Sequence, residues 1–319
     1  MGLLWYRIPG EEVVKSLGYF HELPKEITDY EGFVITNFLG SKRFGFANYE
    51  TQNNKFHFAV DPINVIDKSY YLWSAQKLIH EMKEANVSKT VYTRIKSVDF
   101  DESKTAALFD ELVLAYPNAM VYLLSDPKLG TWVGASPELL LRTVGDHGFS
   151  IALAGTKVCE DETKWLEKEQ NEQALVSEYI SDKLNELELS SIESIGPYDF
   201  KAGPVKHLRT DFSFSFSQTE SEILEVLHPT PAVCGEPKEL ALEIIEHIEQ
   251  HDRAIYTGYL GLLKPNDSKI YVNLRCCQIR PGKMYLYLGG GFTEASDAEM
   301  EWKETENKSK TILDLAQKL

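Results

Sequence analysis

Carboxylates recur in this 319-residue chain at spacings that gather several on one helical face. The densest group lies in GGGFTEASDAEMEWKETENKSKTIL, residues 289–313, where three glycines run into a helix-like stretch. On a helix starting near Asp297, Glu301, Glu304 and Lys308 fall at i, i+3 and i+7 and share a face. Glu299, Lys303, Glu306 and Lys310 share another, which reads as a solvated ladder of i, i+4 pairs. A second helical pattern, over residues 163–188, places Glu169 and Glu172 in the arc of Trp165, Val176, Tyr179 and Leu187. Carboxylates on an apolar face need a partner, either a buried Arg or Lys or a cation. Two acidic helix faces meeting across a cavity suit Mg²⁺, a hard ion that takes carboxylate oxygens and keeps its waters.

Three other side chains could do chemistry. Glu138, in VGASPELLLR, opens an apolar strand after turn residues; buried there, its pKa rises and it serves as a general acid, whereas on an edge strand it faces water. Lys89, in SKTVYTR, is in phase with Val91, Thr93 and Ile95 on the face that alternation buries. A desolvated lysine can act as a base, and a lysine at a strand end can also snorkel to water. Arg275, in YVNLRCCQI, is out of phase with Val272, Leu274 and Cys276, so it projects from the opposite sheet face, either to clamp a carboxylate or as plain surface.

The elements that must hold these groups alternate in blocks. Runs such as FVITNF and KFHFAV within 32–60 read as antiparallel strands, followed by a helix over 71–87, a strand over 89–96 and a helix over 103–115. AMVYLLS, TWVG, ELLLRT and FSIALA read as short strands before the long helix; FSFSF, YTGYLGLL, KIYVNLRCC and MYLYLGG follow, with helices over 237–250 and 298–317. Blocks of this kind favour α+β with large antiparallel sheets over a doubly wound parallel fold. GGGF lacks the spacing of a dinucleotide-binding fingerprint.

A formal charge of −16, with no dense basic stripe, argues against nucleic acid and against an anionic membrane surface. No apolar run reaches transmembrane length, and the four apolar and aromatic residues before Arg7 are too few for a signal-peptide core. Cys159, Cys234, Cys276 and Cys277 form no CxxC pair and read as reduced thiols, so the expected compartment is the cytoplasm.

Six blocks carry a likeness: GASPELLLR (134–142), LAGTK (153–157), LHPTPAVCGEP (227–237), HDRAIYTGYLG (251–261), VNLRCCQIR (272–280) and GGGFTEASDAEMEWKETENK (289–308). In this order they resemble the chorismate-utilising enzyme family, with the closest likeness to its isochorismate synthase branch. The motif-bearing part is 85–310, and residues 1–70 are strand-rich and carry no motif. The resemblance implies one α+β domain over 1–319, with two large antiparallel sheets packed together, helices outside and the site in a cleft. It implies that Lys89 activates water and Glu138 protonates a departing hydroxyl. Glu172 and Glu304 would be direct Mg²⁺ ligands, with Glu169 and Glu301 holding the metal's waters. Arg275, Lys308, Tyr256 and the backbone of Gly289, Gly290 and Gly291 match substrate-carboxylate contacts, and Gly155, Thr156, His207 and Ala232 line the same cleft.

The implied reaction isomerises chorismate to isochorismate for menaquinone or siderophore and salicylate synthesis. Anthranilate synthases lack the water-activating lysine, and aminodeoxychorismate synthases place a reactive lysine where Ala154 stands, so neither branch nor a glutaminase subunit is expected. Salicylate synthases share Lys89, Glu138 and the metal glutamates and continue to pyruvate elimination, so that product stays open. A non-catalytic binding domain should have lost one of Lys89, Glu138, Glu172 or Glu304, and all are present. Asn171 and Gln173 beside Glu172, and Tyr256 where some isochorismate synthases have Phe, are departures. A monomer is the default expectation.

Overall fold

The computed structural model describes residues 2–24, 30–49, 55–202 and 205–319. Four strands come first: β1 (Gly2–Arg7), β2 (Val14–Leu23), β3 (Gly32–Thr36) and β4 (Arg43–Asn48). Helix α1 (Lys68–Ala85) starts where Asp67 accepts the Tyr70 N–H and stops at Asn86, whose φ of 53° suits a left-handed cap. Then come β5 (Lys89–Asp99), α2 (Thr105–Ala115), β6 (Met120–Asp126), β7 (Gly130–Ser136), β8 (Leu139–Val144) and β9 (His147–Val158). Helix α3 (Glu167–Glu186) precedes β10 (Ser190–Ala202), β11 (Val205–Ser215), α4 (Glu220–Leu227), β12 (Gly235–Glu236) and α5 (Lys238–Ile248). The chain closes with β13 (Tyr259–Leu263), β14 (Lys269–Val272), β15 (Cys276–Arg280), β16 (Lys283–Phe292) and α6 (Ala298–Ala316).

The class is α+β, as the block pattern predicts, but the expectation of two sheets needs correcting. Among the described residues, all 16 strands form one ladder, in the order β10-β11-β9-β8-β14-β13-β3-β4-β2-β1-β6-β7-β15-β16-β5-β12. The cause is β2, which pairs with β1 along Val14–Gly18 and with β4 along Gly18–Leu23, so hydrogen bonding never breaks. One core gathers Phe33, Ile35, Leu260 and Tyr271 from one half of the ladder with Leu4, Ile95, Tyr122 and Trp132 from the other. Helices α3 and α4 cover a second core over β8, β9 and β11. α2 and α6 cover a third, and α1 and α5 pack against β5.

Several local expectations change. KFHFAV is not a strand; Ser125 and Thr131 hydroxyls hold its His57 backbone instead. The long helix begins at Glu167 rather than 163. YVNLRCC is not one strand, because Arg275 has φ 48° and separates β14 from β15. Strands β1 and β2 fall in the strand-rich first 70 residues, where the pattern does not single them out, and β10 and α4 are not among the elements read from the sequence.

Candidate functional site

The site is built where β5 and β16 run side by side, with α6 and α3 against them. Gly289, Gly290 and Gly291 of β16 stand opposite Thr93, Tyr92 and Val91 of β5. The space in front of them is taken by the chain's own charged groups. A Cβ on Gly291 would come within 2.6 Å of Glu172 Oε1 and 3.0 Å of Lys89 Cε. One on Gly290 would meet Glu301 Oε2 at 3.0 Å. Helix α6, capped by Asp297, then crosses back so that Lys308 Nζ donates to Gly289 O at 2.9 Å.

Three carboxylates here are each matched by a lysine. Lys89 Nζ lies 2.9 Å from Glu172 Oε1, an ion-pair contact without hydrogen-bond geometry, and the lysine is fully enclosed. Lys308 pairs with Glu304 at 2.6 Å, and Lys168 pairs with Glu301. Burial pushes Glu301 up to about 7, Glu304 adds to the push, and Lys168 opposes it. Burial is also the largest single influence on Glu304, but Lys308, joined by Lys168 and Arg275, outweighs it and holds the carboxyl below its usual range.

Lys89 is buried in phase with Val91, Thr93 and Ile95, as alternation predicts, but Thr90, Tyr92 and Arg94 are buried too, since β5 is covered on both faces. Glu138 sits in the two-residue link between β7 and β8, only 4% exposed. Burial raises it to about 7, against the pull of Lys89, Lys308 and Arg275. His207 is driven down to about 3, first by burial and then by Arg275. It is therefore neutral; Nδ1–H donates to Gly155 O at 2.8 Å, which leaves the enclosed Nε2 lone pair without a partner. Burial lowers the Arg275 pKa, and its Nη1 donates to Thr311 Oγ1 at 3.0 Å.

Of the sequence-derived residues, Glu138, Gly155, Thr156, Glu172, His207, Ala232, Tyr256, Arg275, the three glycines, Glu304 and Lys308 line one cleft of about 730 Å³. Lys89 and Glu301 stand just behind this lining, against Gly291 and Gly290. Arg275 reaches the cleft beside Leu274, because its left-handed backbone cancels the strand alternation expected of it. Glu169 is turned away from the lining: its Oε2 accepts the Leu166 N–H and closes the start of α3. Glu306 is not the plain surface residue expected. It pairs with Arg94, which is 2% exposed, and with Lys96 at 2.6 Å. Lys168 was missed; its i, i+4 spacing to Glu172 is visible, but its partner Glu301 lies 133 residues away.

Among the described residues, no three His, Cys, Asp or Glu side chains converge as a ready metal cluster, and each of the three carboxylates contacts a lysine instead. The donors nonetheless fit a hard divalent ion. Glu301 Oε2 is buried with no hydrogen-bond partner, and burial first, then the Glu304 and Glu172 carboxylates, raises its pKa, a cost that a cation at this oxygen would relieve.

Residues 36–316 match the family of chorismate binding enzymes. The chain belongs to that family. Isochorismate synthase EntC of Escherichia coli K12 is 29% identical over 243 residues, which cover 72% of this chain and 62% of the relative. The match thus spans about three fifths of that relative's length. MenF, the menaquinone-specific isochorismate synthase of E. coli, superposes with a TM-score of 0.81 at 21% identity, over 99% of this chain and 89% of that one. Anthranilate synthase component I of Streptococcus pneumoniae gives 0.67 at 19% identity, over 83% and 62%. The chorismate-binding fold is therefore shared across branches, and the choice among reactions falls to the side chains. No helix among the described residues is long and apolar enough to cross a membrane.

Proposed function

We propose that this member of the chorismate-binding family is an isochorismate synthase, adding water at one ring carbon of chorismate while hydroxyl leaves another. One observation carries the reading: an enclosed lysine, Lys89, and a carboxyl held near neutrality, Glu138, serve the same cleft. Lys89 in its amine form accepts the proton of the attacking water. Glu138, partly protonated near pH 7, gives its proton to the leaving hydroxyl. Arg275 and Lys308 oppose the two carboxylates of the substrate, and Tyr256 and the neutral His207 shape the wall beside them. Glu172 and Glu304, with Glu301 nearby, are the residues that would hold Mg²⁺; Glu169, whose Oε2 caps the head of α3, is left out of that set. When bound, the ion supplies positive charge beside a substrate carboxylate that these glutamates otherwise repel. Ala154, buried next to Gly155, leaves no second amine there for chemistry with nitrogen.

The test is to incubate the purified chain with chorismate and Mg²⁺ and resolve isochorismate, salicylate and pyruvate. Isochorismate should accumulate without pyruvate, and both EDTA and Lys89→Ala should stop it. Pyruvate released in step with chorismate loss assigns the chain to the salicylate synthases instead. Untouched chorismate, or turnover indifferent to both EDTA and Lys89→Ala, refutes the mechanism.

A further inference from the structure

Outside the cleft lining, one buried ion pair touches three of its walls at once. Arg253 and Glu249 are side-chain exposed by only 3% and 4%, and they pair at 2.6 Å in a two-pronged contact, Nε meeting the second carboxylate oxygen at 2.8 Å. The rest of the guanidinium is spent on backbone: Nη1 donates to Val233 O at 2.8 Å and Nη2 to Val91 O at 2.7 Å. Glu249 Oε1 in turn accepts both the Thr93 N–H, at 2.7 Å, and the Thr93 hydroxyl, at 2.8 Å. Val91 and Val233 both line the cleft. Thr93 stands opposite Gly289, and Arg253 O accepts the N–H of Tyr256 at 2.8 Å.

We infer that Arg253, held by Glu249, is a positioning residue that sets the width of the substrate cleft. Its side chain bonds to none of the residues given chemical roles above, yet the residue ties together the strand carrying Lys89, the segment carrying Ala232 and, through its own carbonyl, the turn carrying Tyr256. Hydrogen bonding inside the ladder cannot do this alone. Among the described residues, β5 and the Ser88 before it meet the 230–236 segment through the Val91 N–H to Cys234 O, the two-residue strand β12 and the Ser88 N–H and hydroxyl to Glu236 O. A planar fork donating in three directions from one rigid group fixes three backbones relative to one another. A lysine at 253 keeps the charge for Glu249 but, as a point donor on a flexible stem, cannot span both carbonyls. Val91 and Val233 then part, and the cleft loosens around a substrate that Arg253 itself never contacts.

The inference rests on chorismate as substrate, and the experiment keeps the two apart. Wild type, R253K, E249Q and the surface control E246Q on α5 are compared for KM, kcat and folded fraction by circular dichroism. R253K should raise KM for chorismate about tenfold and lower kcat, since misplacement of about an ångström is felt strongly in an aligned site. E249Q, which keeps an acceptor for Thr93, should raise KM about threefold, and E246Q should leave it unchanged. Lost folded protein lowers apparent kcat at constant KM. That pattern in whichever of R253K and E249Q folds overturns the positioning role. A wild-type chain that leaves chorismate unconsumed removes the functional reading and this inference with it.

Discussion

Replacing Glu138 with glutamine should make the protein more stable and less active, and the stability gain should appear only above the acid range. Burial moves this carboxyl from 4.5 to about 7. The protonated form is thus the one the fold prefers. Its contribution is fully present below pH 4.5, is eroded between 4.5 and 7, and is gone once the group is ionised in both states. At 1.36 kcal/mol per pH unit, the folded chain at pH 8 carries a penalty of about 3 kcal/mol that a neutral amide of the same shape does not. Exposure of 4% leaves little solvent to screen this. Urea unfolding of the Mg²⁺-free protein from pH 5 to pH 8 measures it. The difference between Glu138→Gln and wild type should start at about 1 kcal/mol at pH 5 and widen towards about 3 kcal/mol at pH 8, less whatever the amide loses in hydrogen bonding. Comparing the two proteins at each pH largely cancels the other titrating groups, Glu301 included. In the activity assay, wild type should decline as pH rises through about 7, because the proton donor is lost. Glu138→Gln should retain at most about one part in a hundred of the rate at every pH. Parallel stability curves, or a variant that keeps the wild-type rate, refute the claim that burial holds this carboxyl ready as an acid.

Further outcomes follow from the same charges. Glu304→Gln should abolish the Mg²⁺ dependence of turnover and the calorimetric signal of Mg²⁺ binding; unchanged binding removes Glu304 from the proposed metal set. Glu306→Gln should leave turnover per folded molecule intact but lower stability by about 2 kcal/mol, because it takes an acceptor from the buried Arg94 while Glu306 itself is part-exposed. A denaturation midpoint equal to wild type contradicts that. Gly291→Ala forces a methyl group to 2.6 Å from Glu172 Oε1, so kcat should fall about a hundredfold in a protein that still folds. An unchanged kcat shows that the Lys89–Glu172 contact does not occupy that space.

What the sequence shows of this site depends on the reach of each pattern. Periodicity finds which face of an element a residue is on, and for Glu301, Glu304 and Lys308 that was enough. It cannot name a partner from another part of the chain. Glu306 therefore looked like one rung of a solvated ladder, while its partners Arg94 and Lys96 lie some 210 residues earlier. Lys168 went unread for the same reason. Alternation also presumes an unbroken strand, and Arg275 violates it with a single left-handed residue. Nor does alternation inform much where both faces are buried, as in β5. The two-sheet expectation failed at β2, whose two halves pair with different neighbours, a matter of long-range register that local pattern does not encode.

A protein of net charge −16 that crowds glutamates around a cleft is an unpromising receptor for a dianion until the local count is made. Glu172, Glu301 and Glu304 each have a lysine at contact distance, Lys89, Lys168 and Lys308, drawn from β5, α3 and α6. His207 is neutral, and Glu138 and Glu301 are each close to half protonated at pH 7. Among the described residues that line the cleft, Arg275 is the cation held in no ion pair, its Nη1 donating to Thr311 Oγ1 instead, and a cleft of low dielectric focuses its field on whatever anion enters. Pairing with lysine also explains why these carboxylates tolerate burial here: each loses water but gains an opposite charge within contact distance. The glycines of β16 make this possible, since a side chain at 291 would stand where Glu172 meets Lys89 and one at 290 would crowd the Glu301 carboxylate. Their first task is thus to leave room for the protein's own charges, and whatever approach they allow to a substrate comes through that same opening.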